Sequence, residues 1–389
     1  MGISDRRGAG MSAYVAGGGM IRMGRHPQSS YVGLAAPAVL RALESAGVSL
    51  SEVGSVACGH SFGGPLVGQR IMSRLGGGHV PVTNIDNACS GGGTALRTAI
   101  QDVESGRVEI ALAIGVDSLT QFGKGTLPLP EADIETESGL VMPALYAMRA
   151  RRFIHDRGAT VSDLAAVSVK NRRHGSINPY AQFTSEVTEE QVLAARPVAD
   201  PLTLLQCCPT GDGAAATVVV SDAVRRRLDG PAVRVLASVL HSGEYVGGFR
   251  DMLTPEISEA TARDAYEMAG VGPEDIDMVE LHDAFTIAEL VYYETLGLCA
   301  KGDAVQFLRS GGSTYGGNVV VNPSGGLLSR GHPVGATGMA QVVESFWQLT
   351  KQAGERQVGK SNVALTHVTG GGIAGLDHGA CSIHILESV

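Results

Sequence analysis

The sequence predicts an α/β fold made of two related halves, and three observations carry that expectation. They are an internal echo that keeps its order, buried-strand patterns alternating with helical ones, and an unusual glycine content. The echo begins at 46–62 (AGVSLSEVGSVACGHSF) and returns at 269–285 (AGVGPEDIDMVELHDAF); without a gap, Val53 meets Ile276, Val56 meets Val279 and Phe62 meets Phe285. Each copy follows a helical stretch, 35–45 or 261–268, and leads through a short apolar strand into a polar loop. A second echo pairs VEIALAIGVDS (108–118) with SNVALTHVTGG (361–371), and a third pairs the SGG at 90–92 with the SGG at 324–326. Strands alternating with helices in this way predict mostly parallel sheets. The chain holds 53 glycines in 389 residues, about twice the usual share of roughly 7%. Tight loops and close backbone approaches are therefore expected throughout.

In chain order, residues 1–10 read as a flexible polar tail, 11–230 as the first half and 231–389 as the second, which opens after Gly230–Pro231. An insert at about 119–200 differs in texture. It carries Pro128, Pro130 and Pro143, a basic helix-like run from Met142 to Arg157, and then KNRRHGSINPYAQF, and it suits a cover over a site. Hydrophobic residues make up 44% and charged residues 18%, enough for a large core and without a disorder signature. The net charge of −9 gives no general basic surface, so nucleic-acid binding is not expected. No apolar run approaches the ~20 residues a membrane span needs, and the N-terminus lacks an apolar leader. Six scattered cysteines without CxxC pairs fit a cytoplasmic protein with free thiols.

Cys89, in NIDNACSGGGTALRTAI, is the strongest candidate for chemistry. A turn at 84–87 precedes it and a helix-forming stretch follows, which places the thiol at a helix N-terminus where the thiolate is favoured. The three glycines would let a ligand reach backbone N–H groups. His332 sits between Gly331 and Pro333 just ahead of a helix entry, a setting that suits a base for a thiol. His282 ends a buried strand in ELHDAF, and His367 leaves another in LTHVTGGG. Three histidines at strand ends, with a cysteine, predict a site at one edge of the sheets. Two motifs are decoys. Gly59–Gly63 matches GxSxG but is read as the loop equivalent to His282–Phe285. His378, Cys381 and His384 have metal-like spacing, yet in a strand Cys381 and His384 point to opposite faces, so no metal is expected.

With these residues in view, the chain resembles a thiolase. The resemblance runs from Met11 to the end. It rests on NACSGGG, MPALYAMRARRF with KNRRH, DPLTLLQCCPTGDGAA, HDAF, NPSGGLLSRGHPVGATG and the terminal Gly-rich loop, in that order. It is most similar to the sterol-carrier-protein-linked and archaeal-type thiolases, whose loop begins His-Asp. The resemblance implies a thiolase fold: two pseudo-repeated halves stacked as a five-layered α-β-α-β-α core, with a loop domain inserted in the first half. It also implies a homodimer acting on acyl-CoA, with coenzyme A as substrate or product and no bound cofactor.

By motif, Cys89 would be acylated, and His332 would activate it and help form an oxyanion hole. His282 and Asn322 would position a water or the thioester oxygen, and the N–H groups of Cys89 and a glycine near Gly370 would form a second oxyanion hole. Arg149, Arg152 and Arg172, with Arg151, are candidates for the CoA phosphates or for a solvated helix face.

The chain departs from the family where a second acid/base cysteine is expected. The terminal CxG position reads His367-Val-Thr-Gly, and the cysteine of the HDCF loop is Ala284. His367 is a candidate replacement. Cys381 lies too far along its strand, and Cys207 or Cys208 would approach only if the fold bends them in. Three readings follow. One is an acyl-CoA C-acyltransferase cleaving or condensing a β-ketoacyl-CoA in lipid, sterol or aromatic catabolism. Another is a retro-aldol lyase of steroid side-chain breakdown, for which Tyr245, Tyr292, Tyr293 and Tyr315 are available. The third is a subunit that depends on a small zinc-ribbon/OB-fold partner.

Overall fold

A computed structural model describes residues 12–123, 137–244, 250–371 and 379–389. The expected tail at 1–10, part of the insert and Tyr245 lie outside the described residues. The first half contains β1 (Ala13–Met20), α1 (Tyr31–Ala46), β2 (Ser55–Gly59), α2 (Val67–Arg74), β3 (Val82–Ile85), α3 (Gly91–Glu104) and β4 (Ile110–Ser118). The insert contributes α4 (Met142–Arg157), α5 (Val161–Ser176), α6 (Glu189–Leu193), β5 (Pro197–Ala199) and β6 (Leu202–Thr203), and β7 (Asp212–Ser221) and α7 (Asp222–Arg225) follow. Then come β8 (Val233–Ser242), α8 (Glu256–Ala269), β9 (Met278–Glu280), α9 (Thr286–Thr295), α10 (Ala304–Arg309), β10 (Val320–Val321) and α11 (Gly326–Ser329). The chain ends with α12 (Thr337–Leu349), β11 (Val363–Gly370) and β12 (Ala380–Ser388).

The main strands run in the order β10-β9-β11-β12-β8-β1-β7-β4-β2-β3. Two five-stranded groups meet where β1 and β8 share only two residue pairs, Tyr14 with Arg234 and Val15 with Val233. Within the groups β3, β2 and β4 are parallel, as are β10, β9 and β11. The third echo differs from expectation. The SGG at 324–326 opens only the four-residue α11, and the long helix that answers α3 is α12, which begins beyond the His332 loop.

Burial sorts these elements into five layers. Leu34, Val39 and Ile71 from α1 and α2 pack with Val56, Leu112 and Val218 on the outer face of the first group. Leu96 and Ile100 of α3 and Val342 and Phe346 of α12 lie between the two groups, touching Val15 and Ala113 on one side and Met278 and Ala364 on the other. Residues of α8 and α9, with Tyr146 and Phe153 of α4, cover the outer face of the second group. Every residue of α12 is buried, as expected of a helix enclosed on all sides.

Of the glycines after Cys89, Gly92 and Gly93 are required by this packing. A Cβ on Gly92 would stand 2.8 Å from the Gly335 carbonyl oxygen and 2.8 Å from the Met339 nitrogen, and one on Gly93 would collide with the Ser382 hydroxyl.

Candidate active site

The functional loops leave the C-terminal ends of parallel strands from both groups, the edge where open α/β sheets place ligands. Cys89 follows β3, His282 follows β9, Asn322 follows β10 and Gly371 follows β11, while Asp117 lies near the end of β4. The turn that presents Cys89 is sharp: Ala88 takes a left-handed φ of 48°, which a side-chain-bearing residue adopts at a cost of about 1–2 kcal/mol. Asp86 holds the turn by accepting from the Ala88 N–H at 3.0 Å and from the Ser61 hydroxyl at 3.0 Å. Ser61 of the GxSxG match is thus a brace for the cysteine turn.

Cys89 Sγ lies 3.3 Å from Nε2 of His332. On the far side of the ring, Nδ1 stands 2.7 Å from the Thr337 hydroxyl, whose own hydrogen is donated to the Pro333 carbonyl at 2.9 Å. Since that hydroxyl is already donating, it can only accept from the ring. Nδ1 therefore carries the proton, and Nε2 presents its lone pair to the thiol. The His282 ring meets the His332 ring edge-on at 5.2 Å, and the ligating atoms of Cys89, His282 and His332 lie within 4.8 Å of one another. A soft cation would fit among these three donors.

The electrostatics correct one expectation. Burial, helped by the nearby Asp117 carboxylate, pushes the Cys89 thiol up to about 12 despite the N–H groups of Gly371 and of Cys89 itself that point at it. Burial presses His332 down to about 3, with Arg330 adding to the effect. The resting pair is a neutral thiol and a neutral imidazole, and helix position does not generate a standing thiolate. The Asp117 carboxylate accepts from Tyr31 Oη at 2.9 Å and from the N–H groups of Ser61, Phe62 and Gly335 at 3.1, 3.1 and 2.6 Å. It thereby ties the His332 loop to the loop after β2.

Other expected residues stand elsewhere. The backbone donor at Cys89 is Gly371, not Gly370, which still belongs to β11. Asn322 is enclosed: its Oδ1 accepts from the Leu281 N–H at 2.9 Å and its Nδ2 donates to Glu289 at 2.8 Å. It braces the segment carrying His282. His367 is fully buried, 3.0 Å from the Ser258 hydroxyl and edge-on to Tyr292 at 4.4 Å.

The arginines also separate. Arg149 is buried with its guanidinium 5.1 Å from the Tyr146 ring centre, and Arg172 is buried 4.2 Å from that of Phe183. Arg152 pairs with Asp156 at 2.6 Å and, with Arg151, Met148 and Met252, borders a surface cavity of about 570 Å³. Among the tyrosines, Tyr293 donates to Glu289, Tyr315 to the carbonyls of Pro323 and Arg356, and Tyr292 lies against Thr369.

The sequence reading overlooked Thr337 and Tyr146. Thr337 lies five residues beyond His332 across a bend, a spacing that signals nothing by itself. Tyr146 belongs to a helix that reads as basic and solvated. It is buried, stacks on Phe285 at 4.4 Å and lies within electrostatic range of Cys89.

Residues 13–223 match the family model for the thiolase N-terminal domain, and residues 239–378 match the thiolase C-terminal domain-like model. The chain is 46% identical over 365 residues to benzoylsuccinyl-CoA thiolase subunit BbsB of Thauera aromatica, covering 92% of this chain and 94% of that one. It is 40% identical over 358 residues to acetyl-CoA acetyltransferase of Methanothermobacter thermautotrophicus, covering 90% and 92%. A solved structure described as the Ltp2-ChsH2(DUF35) aldolase superposes with a TM-score of 0.84 at 25% identity, covering 97% and 98%.

Proposed function

The chain belongs to the thiolase family, and from that premise we propose that it is an acyl-CoA C-acyltransferase whose acyl group passes through Cys89. The observation that carries this is the 3.3 Å contact between Cys89 Sγ and an imidazole nitrogen whose lone pair is aimed at it. As a thioester carbonyl approaches, His332 takes the thiol proton and the sulfur attacks. The N–H groups of Gly371 and Cys89, which point at the sulfur in the resting site, are the donors available to the charge developing on oxygen. Because the resting pair is neutral, proton transfer accompanies attack and the nucleophile is not spent on other electrophiles. His282, held against His332 and braced through Asn322, stands to polarise the second carbonyl. Coenzyme A is substrate and product, and Arg151 and Arg152, which border the open cavity and pair with Asp200 and Asp156, are our candidates for its phosphates.

The substrate class is a β-ketoacyl-CoA, cleaved by thiolysis or formed by Claisen condensation. The 46% relative named for benzoylsuccinyl-CoA supports aromatic catabolism as the setting. Because that relative is named as a subunit, and the superposing aldolase is described as a pair, we extend the proposal to a homodimer working with a small accessory protein of the zinc-ribbon/OB-fold kind. The six free cysteines fit a reducing, cytoplasmic setting, and among the described residues no helix is long and apolar enough to cross a membrane.

Likeness to the Ltp2-ChsH2(DUF35) aldolase favours a second reading, retro-aldol cleavage. The Cys89–His332 geometry argues against it, since a retro-aldol step needs no nucleophilic thiol. Mass spectrometry of the intact protein after incubation with short acyl-CoAs separates the two. We expect an acyl adduct on the Cys89 peptide that is absent in Cys89→Ala; a folded wild-type protein with no adduct from any acyl-CoA overturns the acyltransferase reading.

A further inference from the structure

Carbon–carbon chemistry at this site needs a group that the Cys89–His332 pair does not supply. When the bond between the α- and β-carbons of a β-ketoacyl-CoA breaks, the electron pair stays on the α-carbon and must be protonated there. In the reverse direction the same carbon must lose a proton. His332 already holds the proton taken from Cys89. His367 is buried against Ser258 and Tyr292, and Ala284 offers only a methyl group.

The segment after β6 comes into the site here. Cys207 pairs with Phe285 in an antiparallel bridge, the Cys208 N–H donates to the Ala284 carbonyl at 2.8 Å, and Thr210 pairs with His332. The chain from 207 to 210 thus runs from the His282 loop to the His332 loop and forms a wall of the site. Cys207 is extended and its thiol is directed to the Thr203 carbonyl at 3.4 Å. In extended backbone, neighbouring side chains take opposite sides, so the thiol of Cys208 faces the other way. That thiol lies within electrostatic range of the neighbouring Cys207 and, across the site, of the Cys89 sulfur and the Asp283 carboxylate. Cys89 and Cys208 are both only half-buried residues, whereas His282 and His332 are buried. Tyr146 is a weaker candidate, because it is fully buried with its phenol against Tyr292.

We propose that Cys208 is the acid/base residue at the α-carbon, supplied by the 207–210 segment that bridges the Ala284 and His332 loops. This rests on the acyltransferase reading above. In the cleavage direction Cys89 gives its proton to His332 and bonds to the β-carbonyl carbon, and the carbon–carbon bond breaks. The Cys208 S–H then delivers its proton to the α-carbon, releasing the acyl-CoA that carries that carbon and leaving the shortened acyl group on Cys89. The Cys208 thiolate takes the proton of incoming CoA–SH. The CoA sulfur attacks the Cys89 thioester, and Cys89 leaves and recovers its proton from His332. One β-ketoacyl-CoA and one CoA become two acyl-CoAs, with no other reactant.

The test incubates the full chain with acetyl-CoA in D2O, reading deuterium at the α-carbon of recovered acetyl-CoA and, separately, the acetyl adduct on Cys89. For Cys208→Ala and for the near-isosteric Cys208→Ser we expect α-exchange to fall by ~10²–10⁴-fold while the Cys89 adduct still forms. The serine variant guards against misfolding, since its hydroxyl fills the same space but is a far poorer acid. Exchange at the wild-type rate in both variants overturns the assignment of Cys208 and leaves the acyltransferase reading standing. A wild-type adduct without any α-exchange also overturns the assignment. A wild-type protein with neither adduct nor exchange overturns the acyltransferase reading itself.

Discussion

Replacing Thr337 by valine tests whether the orientation of one ring proton controls acyl transfer. Valine keeps the volume and the branching but removes the one oxygen seen on Nδ1 of His332 among the described residues, 2.7 Å away. The site is enclosed, with Thr337 1% exposed and His332 8%, so solvent does not restore the lost partner. An Nδ1–H left unsatisfied in that setting costs about 1–3 kcal/mol. The ring escapes this penalty by moving its proton to Nε2, where it points at Cys89 and the base is gone. The same energy read as a population shift lowers the reactive tautomer by about 5–150-fold. Rapid-quench mass spectrometry of Cys89 acylation measures the step directly, with the melting temperature as a check on folding. Thr337→Ser keeps the hydroxyl and is expected to stay within a few-fold of wild type. Wild-type acylation by a folded Thr337→Val would refute the tautomer argument, because nothing else seen at the ring would then be needed to keep Nε2 free.

Two further predictions concern pH and packing. With Cys89 held near 12 and His332 near 3, the pair does not change charge between roughly pH 6 and 9. The pair should add no limb of its own to the acylation rate there, and an acid limb near the ordinary imidazole pKa of about 6.5 that persists in Asp117→Asn would mean that His332 is not desolvated. The melting temperature is followed in parallel because burial lifts Asp117 to about 6 and Glu280 and Asp283 to about 7. Their contribution is fully present below their unfolded values near 4 and is lost as pH rises through 6 to 7. Gly92→Ala sets a methyl 2.8 Å from backbone atoms of the His332–α12 connection, so we expect a loss of about 1–3 kcal/mol in chemical denaturation. Gly78→Ala, with nothing within 4 Å of the new carbon, should change stability by less than about 0.5 kcal/mol; equal effects at the two positions would contradict the packing account.

What could be read from the residues alone follows from where the information lies. Strand periodicity and the loop residues around it are local, so β4, β11 and the boundaries of α4 at Met142 and Arg157 agree with expectation. The structure also brings Cys89, His282 and His332 together, whereas His367 lies apart against Ser258 and Tyr292; glycine and proline around Cys89 and His332 mark sharp turns whatever the chain does elsewhere. Charge states are not local. The dipole argument for a thiolate at Cys89 was sound for an exposed helix end, but α3 lies in the middle layer, and desolvation there outweighs the dipole. The arginines show the same loss of meaning with depth: as composition Arg149, Arg151, Arg152 and Arg172 form one basic cluster, whereas burial takes Arg149 and Arg172 to aromatic rings and leaves Arg151 and Arg152 to the surface.

The vacancy at Ala284 is the hardest case. A cysteine 76 positions away has no local mark of its relation to that loop, and only the pairing of 207–210 with 285 and 332 brings it there. In a repeated α/β architecture the site is assembled at strand ends from both halves, so a function lost at one loop can be carried by any segment that crosses the same edge. The search for a missing acid/base in such a chain therefore belongs along the rim of the sheets and not along the aligned motif.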